Sequence, residues 1–152
     1  MKKVYACFCT DVIHEGHLNI IHEAKKYGRL VAGVLSDEAM IRYNRFPTIS
    51  FEERKQMLEK ISEVDEVVVQ NEVMYGTILE QLKPDYVIHG DNWLNDPMEV
   101  IRDNVIENLN KWGGKLIEVP YTYNENVKNI EAIVREREQL CQSFEENVCD
   151  NY

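Results

Sequence analysis

The fold is decided near the N-terminus, in the stretch VYACFCTDVIHEGHLNIIHEA at residues 4–24. The apolar run at residues 4–9 predicts a buried strand over residues 3–9, and residues 16–27 have the spacing of an amphipathic helix. The segment His14-Glu15-Gly16-His17 therefore lies where a strand turns into a helix. Such a turn directs free backbone N–H groups and the positive end of the helix dipole outward, and phosphate is its natural ligand. Two imidazoles placed there suit a polyphosphate that undergoes chemistry.

The same alternation of strand and helix patterns continues along the chain. Further strands are predicted at residues 30–35, 64–69, 85–89 and 116–119. Helices are predicted between and after them, at residues 36–43, 50–61, 75–82, 98–112 and 125–144. This order predicts an α/β fold with a five-stranded parallel sheet and helices on both faces. Ligands of such sheets bind beyond the carboxyl ends of the strands, where the chemically interesting residues of this chain are concentrated.

Length and charge narrow the class of protein, since the chain has 152 residues and a formal net charge of −10. The length predicts one domain, placed at residues 1–144, followed by a frayed tail at residues 145–152. An acidic chain lacks the basic face that nucleic-acid binding needs, and no apolar run approaches the roughly 20 residues that span a bilayer. No signal-peptide pattern is present. We expect a cytoplasmic protein with reduced cysteines and no nucleic-acid or membrane partner.

Three segments resemble motifs of one family, the cytidylyltransferase-like nucleotidyltransferases. Residues 10–17 are similar to its His-x-Gly-His signature, residues 42–55 to its basic loop and Glu-Arg-Lys segment, and residues 83–93 to its Gly-Asp-Asp-Trp region. The likeness covers roughly residues 3–130 and is strongest to the small cytidylyltransferases of phosphonate biosynthesis, which are associated with phosphoenolpyruvate mutase. Glycerol-3-phosphate, choline-phosphate and ethanolamine-phosphate cytidylyltransferases are more distant. The resemblance implies a Rossmann-like fold with nucleotidyltransferase (HUP-type) topology.

The resemblance also implies a reaction: CMP passes from CTP to a small phosphonate or phosphate, such as 2-hydroxyethylphosphonate, and pyrophosphate is released. His14 and His17 would contact the triphosphate and stabilise charge on the reacting phosphoryl group. The acceptor oxygen is already anionic, so positioned donors and Mg²⁺ suffice without a strong base. Asp11 is a candidate metal ligand, and the other ligands stay open. Relatives are commonly homodimers, and Tyr43 and Phe46 are candidates for that interface.

Basic side chains and strand ends supply the other predicted site residues. Arg42, Arg45 and Arg54 are expected to neutralise phosphate charge, with Arg42 also counted as catalytic. His89 stands where some relatives have an apolar residue, so a purely structural role stays open for it. The predicted nucleotide-binding residues are Cys9, Thr10, Asp11, Gly16, His17, Gly90, Asp91, Asn92, Trp93, Tyr121, Thr122 and Asn126.

The segment after the fifth strand departs from the family pattern. Where relatives have Gly-Ile-Ser-Thr-Thr, this chain has Asn124 in place of the glycine and Asn126, Val127 and Lys128 in place of Ser-Thr-Thr. Either asparagine can cap a helix, and Lys128 is predicted to be a catalytic cation that replaces lost hydroxyl donors. The departure keeps open a nucleotide-binding module without turnover. Adenylyl transfer within the same superfamily also stays open, because the residues alone do not identify the base.

Overall fold

The computed structural model describes residues 1–9, 12–43, 45–93, 99–122 and 124–150, and all their side chains except those of Asn92 and residues 144–150. The strands are β1 (Lys3–Phe8), β2 (Arg29–Leu35), β3 (Glu66–Gln70), β4 (Tyr86–Gly90) and β5 (Lys115–Val119). The helices are α1 (Glu15–Ala24), α2 (Asp37–Arg42), α3 (Phe51–Glu59), α4 (Gly76–Leu82), α5 (Glu99–Asn110) and α6 (Glu125–Asp150). A 3₁₀ turn at Asp91–Trp93 follows β4.

The five strands form one parallel sheet in the order β3-β2-β1-β4-β5. This confirms the predicted Rossmann-like fold. The chain builds outward from β1 through β2 to β3, and then crosses to the other side of β1 for β4 and β5. Strand order therefore reverses between β1 and β4, which is where ligands bind in sheets of this kind.

Each face of the sheet has its own apolar core. Val4, Ala6 and Phe8 of β1 pack on one face with buried side chains of α1 and α3. Tyr5 points to the opposite face and packs with buried side chains of α4 and α5. Burial on both faces explains why β1 is a continuous apolar run instead of an alternating one.

Two helix ends differ from the prediction by three residues or more. Helix α1 ends at Ala24, and the chain then passes Gly28, where φ is 149° and an added Cβ would lie 2.2 Å from the Lys2 carbonyl oxygen. Glycine is therefore required at this turn. Helix α6 continues to Asp150, past the predicted end at residue 144. Met98, the predicted start of α5, lies outside the described residues.

In the part of the chain that the structure describes, no helix is long and apolar enough to cross a membrane.

Candidate active site

The two histidines of the signature form the N-terminal cap of helix α1, in which each side chain accepts a backbone hydrogen bond. The Gly16 backbone N–H donates to His14 Nδ1 at 3.0 Å, and the His14 backbone N–H donates to His17 Nδ1 at 3.1 Å. This is the reciprocal arrangement of a capping box, with imidazoles in place of the usual serine and glutamate. The ring centroids lie 4.0 Å apart.

Glycine at position 16 is needed because of the His14 ring. A Cβ on Gly16 would lie 2.8 Å from His14 Cε1 and 3.1 Å from His14 Nδ1. Any larger residue would push the imidazole away from the backbone N–H that donates a hydrogen bond to it. The glycine of the motif therefore keeps the first histidine in its capping position.

The capping bonds determine which nitrogen of each ring carries the proton. Because both Nδ1 atoms accept backbone hydrogen bonds, the proton of each neutral ring lies on Nε2. Burial, reinforced by repulsion from His14, His89 and Arg45, lowers the pKa of His17 to about 3. His17 is therefore neutral at physiological pH and offers an Nε2–H donor.

A cavity of about 300 Å³ lies over the carboxyl ends of β1 and β4. Of the predicted site residues, five line it: Cys9, His14, His17, Arg45 and Tyr121. It is also lined by residues that the sequence did not single out for the site, among them Cys7, His89, Glu131, Arg135 and Glu138. Thr10 and Asp11, and the side chain of Asn92, lie outside the described residues.

The three arginines predicted to bind phosphate are placed differently. Arg45 lines the cavity and stacks over the Tyr43 ring, 5.4 Å from its centroid. Arg42 is exposed near the end of α2 and does not line the cavity. Arg54 is 3% exposed and donates to the carbonyls of Leu35 and Ile49 and to Asp37. Its guanidinium thus ties α3 to the end of β2, and the predicted role in phosphate binding is corrected to a structural one.

The residues after β4 form a layered wall. Trp93 has 0% exposure, so it lies behind the cavity and is not the direct nucleotide contact that was predicted. Its ring stacks on His89, with centroids 3.7 Å apart and an interplanar angle of 2°. Gly90 is buried, and Asp91 Oδ1 accepts a hydrogen bond from the Tyr121 backbone N–H at 3.1 Å. Asp91 therefore positions the loop after β5.

The altered segment before α6 is built around a cap. Asn124 Oδ1 accepts from the Val127 N–H at 2.9 Å, and its Nδ2 donates to Glu15 at 2.6 Å. Thr122 accepts from Asn19 at 2.9 Å. Lys128 and Asn126 are exposed and are not among the residues that line the cavity, so the catalytic role of Lys128 and the nucleotide-binding role of Asn126 stay predictions.

Helix α6 crosses the cavity and brings two carboxylates close to His14 and Arg45. Glu131 Oε1 lies 3.5 Å from His14 Nε2, and Glu138 Oε1 lies 3.5 Å from Arg45 Nη1. Arg137 fastens the same helix by donating to the backbone carbonyls of Phe46 and Pro47. The spacing of Glu131 and Glu138 by two helical turns shows that they share a face, but their proximity to the signature depends on tertiary structure.

Sheet topology and site geometry together define an α/β nucleotide-binding protein whose imidazoles face a cavity at the switch point. Residues 6–149 match the family model described as cytidylyltransferase-like, and the chain belongs to that family.

Relatives within the family differ in function. The chain is 30% identical over 104 residues to an FAD synthase of Ferroglobus placidus, covering 64% of this chain and 68% of the relative. It is 34% identical over 96 residues to an ethanolamine-phosphate cytidylyltransferase of Arabidopsis thaliana, covering 59% of this chain but only 23% of the relative. The fold is shared with the crystal structure of a lipopolysaccharide core biosynthesis protein from Thermoplasma volcanium, at a TM-score of 0.66, 22% identity, and coverage of 82% and 99% of the two chains.

Proposed function

We propose that this protein transfers CMP from CTP to a small phosphonate or phosphate acceptor and releases pyrophosphate. The observation that carries the proposal is the mutual cap of His14 and His17, which leaves an Nε2–H donor on each ring at the cavity. An oxygen of the acceptor attacks the α-phosphorus of CTP, and the bond to the bridging oxygen of pyrophosphate breaks. No proton has to be removed from an ionised acceptor, so the chemistry requires alignment and charge stabilisation.

The residues around the cavity fit these requirements. The neutral His17 donates without the reorganisation that a titrating group would need at physiological pH. Arg45 adds a cation to the lining of the same cavity, which Tyr121 also lines. Mg²⁺ is part of the proposal as an ion held by the nucleotide phosphates, with Asp11 the protein ligand in question.

Adenylyl transfer is the second candidate, favoured by the match to an FAD synthase. The name of that relative states that it makes a flavin adenine dinucleotide, which requires an adenylyl group. The match to an ethanolamine-phosphate cytidylyltransferase and the family model favour the cytidylyl group instead. A phosphonate acceptor, a homodimer and a cytoplasmic location remain further parts of the leading proposal.

The decisive experiment pairs nucleotides with acceptors and measures pyrophosphate release. CTP, ATP, GTP and UTP are each tested with Mg²⁺ and with 2-hydroxyethylphosphonate, phosphoethanolamine, phosphocholine or glycerol-3-phosphate. Release with CTP and one acceptor supports the proposal, and release with ATP alone selects the second candidate. Calorimetry with CTP runs in parallel. Binding without release in any combination would overturn both and leave a nucleotide-binding module.

A further inference from the structure

The cavity contains a third imidazole that lies outside the signature. His89, at the end of β4, lines it together with His14 and His17. It is close enough to His17 to be one of the groups that lower the pKa of that ring. His89 thus belongs to the site by position, although nothing in the signature motif includes it.

The tautomer of His89 is opposite to that of the other two rings. Its Nδ1 lies 2.7 Å from the Gly90 carbonyl oxygen. A carbonyl oxygen only accepts, so this Nδ1 carries the proton. Burial lowers the pKa of His89, which keeps the ring neutral and leaves Nε2 with a free lone pair. Among the described residues, none forms a hydrogen bond with this nitrogen.

The layers behind His89 hold the ring in one orientation. Trp93 stacks against it in parallel, and Trp93 Nε1 donates to Glu118 Oε2 at 3.2 Å. Glu118 is itself held by Arg102, with contacts of 2.6 Å from Nη2 and 3.1 Å from Nε to Oε1. Since His89 and Glu118 also face each other in the β4–β5 register, the arrangement is anchored in the sheet. An acceptor positioned this firmly is suited to recognition.

We propose that His89 determines substrate specificity by accepting a hydrogen bond from a hydroxyl or amino group of a substrate. Ionised phosphate and phosphonate oxygens carry no proton to donate, so Nε2 faces a different part of the bound molecules. His14 and His17 donate to phosphates, and His89 accepts from a neutral donor group. The proposal rests on the proposed nucleotidyl transfer and adds to it the chemistry of a second recognition point.

Two substrates could present that donor, and matched pairs distinguish them. For the acceptor, 2-hydroxyethylphosphonate is compared with ethylphosphonate. For the nucleotide, CTP is compared with 2′-deoxy-CTP and with 3′-deoxy-CTP. In the wild-type protein, the molecule that contacts His89 should show at least about a tenfold preference in kcat/KM for its hydroxyl-bearing form, the effect of one well-placed hydrogen bond.

Three variants separate the lone pair from the volume of the ring. His89→Gln can place an oxygen acceptor near the position of Nε2, whereas His89→Asn and His89→Val cannot. We expect His89→Gln to retain the preference and the other two to lose it, mainly through KM. Thermal unfolding of each variant confirms that it is folded. Equal preferences in the wild type and all three variants would overturn the proposal.

Binding measurements test the inference even if no turnover is found. Calorimetry compares the affinities of the same nucleotide pairs and acceptor pairs for the wild type and His89→Val. Long-range ¹H–¹⁵N NMR checks the tautomers directly, with the proton expected on Nδ1 of His89 and on Nε2 of His14 and His17. A proton on Nε2 of His89 would overturn the inference without affecting the proposed transfer.

Discussion

The carboxylate of Glu138 lies 3.5 Å from the guanidinium of Arg45. Arg45 is therefore already paired with an anionic side chain of the protein, although it is the cation that is proposed to bind the nucleotide. Glu131 stands in the same relation to His14, at 3.5 Å from Nε2. Both carboxylates come from one face of α6. A triphosphate that binds His14 and Arg45 must therefore displace them.

Replacing these carboxylates should strengthen nucleotide binding. In the double variant Glu131→Gln/Glu138→Gln, we expect the Kd for CTP to decrease about two- to tenfold, because a partly exposed ion pair such as that of Glu138 with Arg45 contributes up to about 1 kcal/mol. Calorimetry at fixed ionic strength measures the change. Glu136→Gln, an exposed position on the same helix, is the matched control and should leave Kd unchanged. Weaker binding by the double variant would contradict the exchange.

Loss of His17 should reduce turnover strongly. His17→Ala is expected to lower kcat by about 10²-fold or more, as removal of one preorganised donor at a transition state does. Steady-state pyrophosphate release gives kcat and KM. His22→Ala removes a histidine from the exposed surface of the same helix and should keep wild-type kinetics. Near-normal kcat in His17→Ala would remove this ring from the catalytic assignment.

Alanine variants of Arg45 and Arg54 should affect different quantities, substrate binding in the first case and the free energy of unfolding in the second. Arg45→Ala is expected to raise KM for CTP or the acceptor at least about tenfold with little change in stability, because it loses a charge-assisted contact. Arg54→Ala leaves Asp37 and two carbonyls without their donor and should lower the free energy of unfolding by about 3 kcal/mol or more. Kinetics and urea unfolding of both variants check this. Exposed Arg42→Ala should change neither quantity.

The depressed pKa of His17 predicts a pH-dependent stability. Between its ordinary pKa of about 6.5 and the folded value of about 3, the unfolded chain binds a proton that the folded chain excludes. The free energy of unfolding should therefore decrease as pH falls below 6.5, by up to about 1.4 kcal/mol per pH unit for this group. At about pH 7.5 and above, where the ring is neutral in both the folded and the unfolded chain, it has little effect on the slope.

Urea unfolding from pH 7.5 to pH 4.5 measures this slope. His17→Gln keeps a side-chain acceptor for the cap and should flatten the curve. His22→Gln, whose side chain is largely exposed, should leave it as in the wild type. An unchanged slope in His17→Gln would show that His17 titrates normally in the folded protein.

The sheet could be predicted from the sequence because its signals are local. The apolar run of β1 and the alternation of strand and helix patterns do not depend on distant contacts. The parallel direction of the strands could be predicted from that alternation. The turn at His14–His17 was also predictable, since the strand and helix patterns on either side define it. The ends of the helices were harder to predict. The turn that follows α1, for example, brings Gly28 close to Lys2, and this is a tertiary contact.

The walls of the site were harder to predict because they depend on which way a side chain turns. Arg45 and Arg54 have the same chemistry in the sequence, but one faces the cavity and the other faces backbone carbonyls. Trp93 was predicted to bind the nucleotide, but its complete burial and its stacking on His89 place it in the core. Glu131 and Glu138 reach the site only because α6 crosses it. Lys128, on the same helix, is exposed and is not among the residues that line the cavity.

The mutual cap of His14 and His17 ties two properties of the protein together. The Nδ1 atoms that begin helix α1 belong to the same rings whose Nε2 atoms face the cavity, and Gly16 permits both. Substitution of either ring therefore perturbs the helix start and the chemistry at once. Selection for activity at these three positions is also selection for folding, so an inactive descendant of this chain could lose the motif only by finding another way to start the helix.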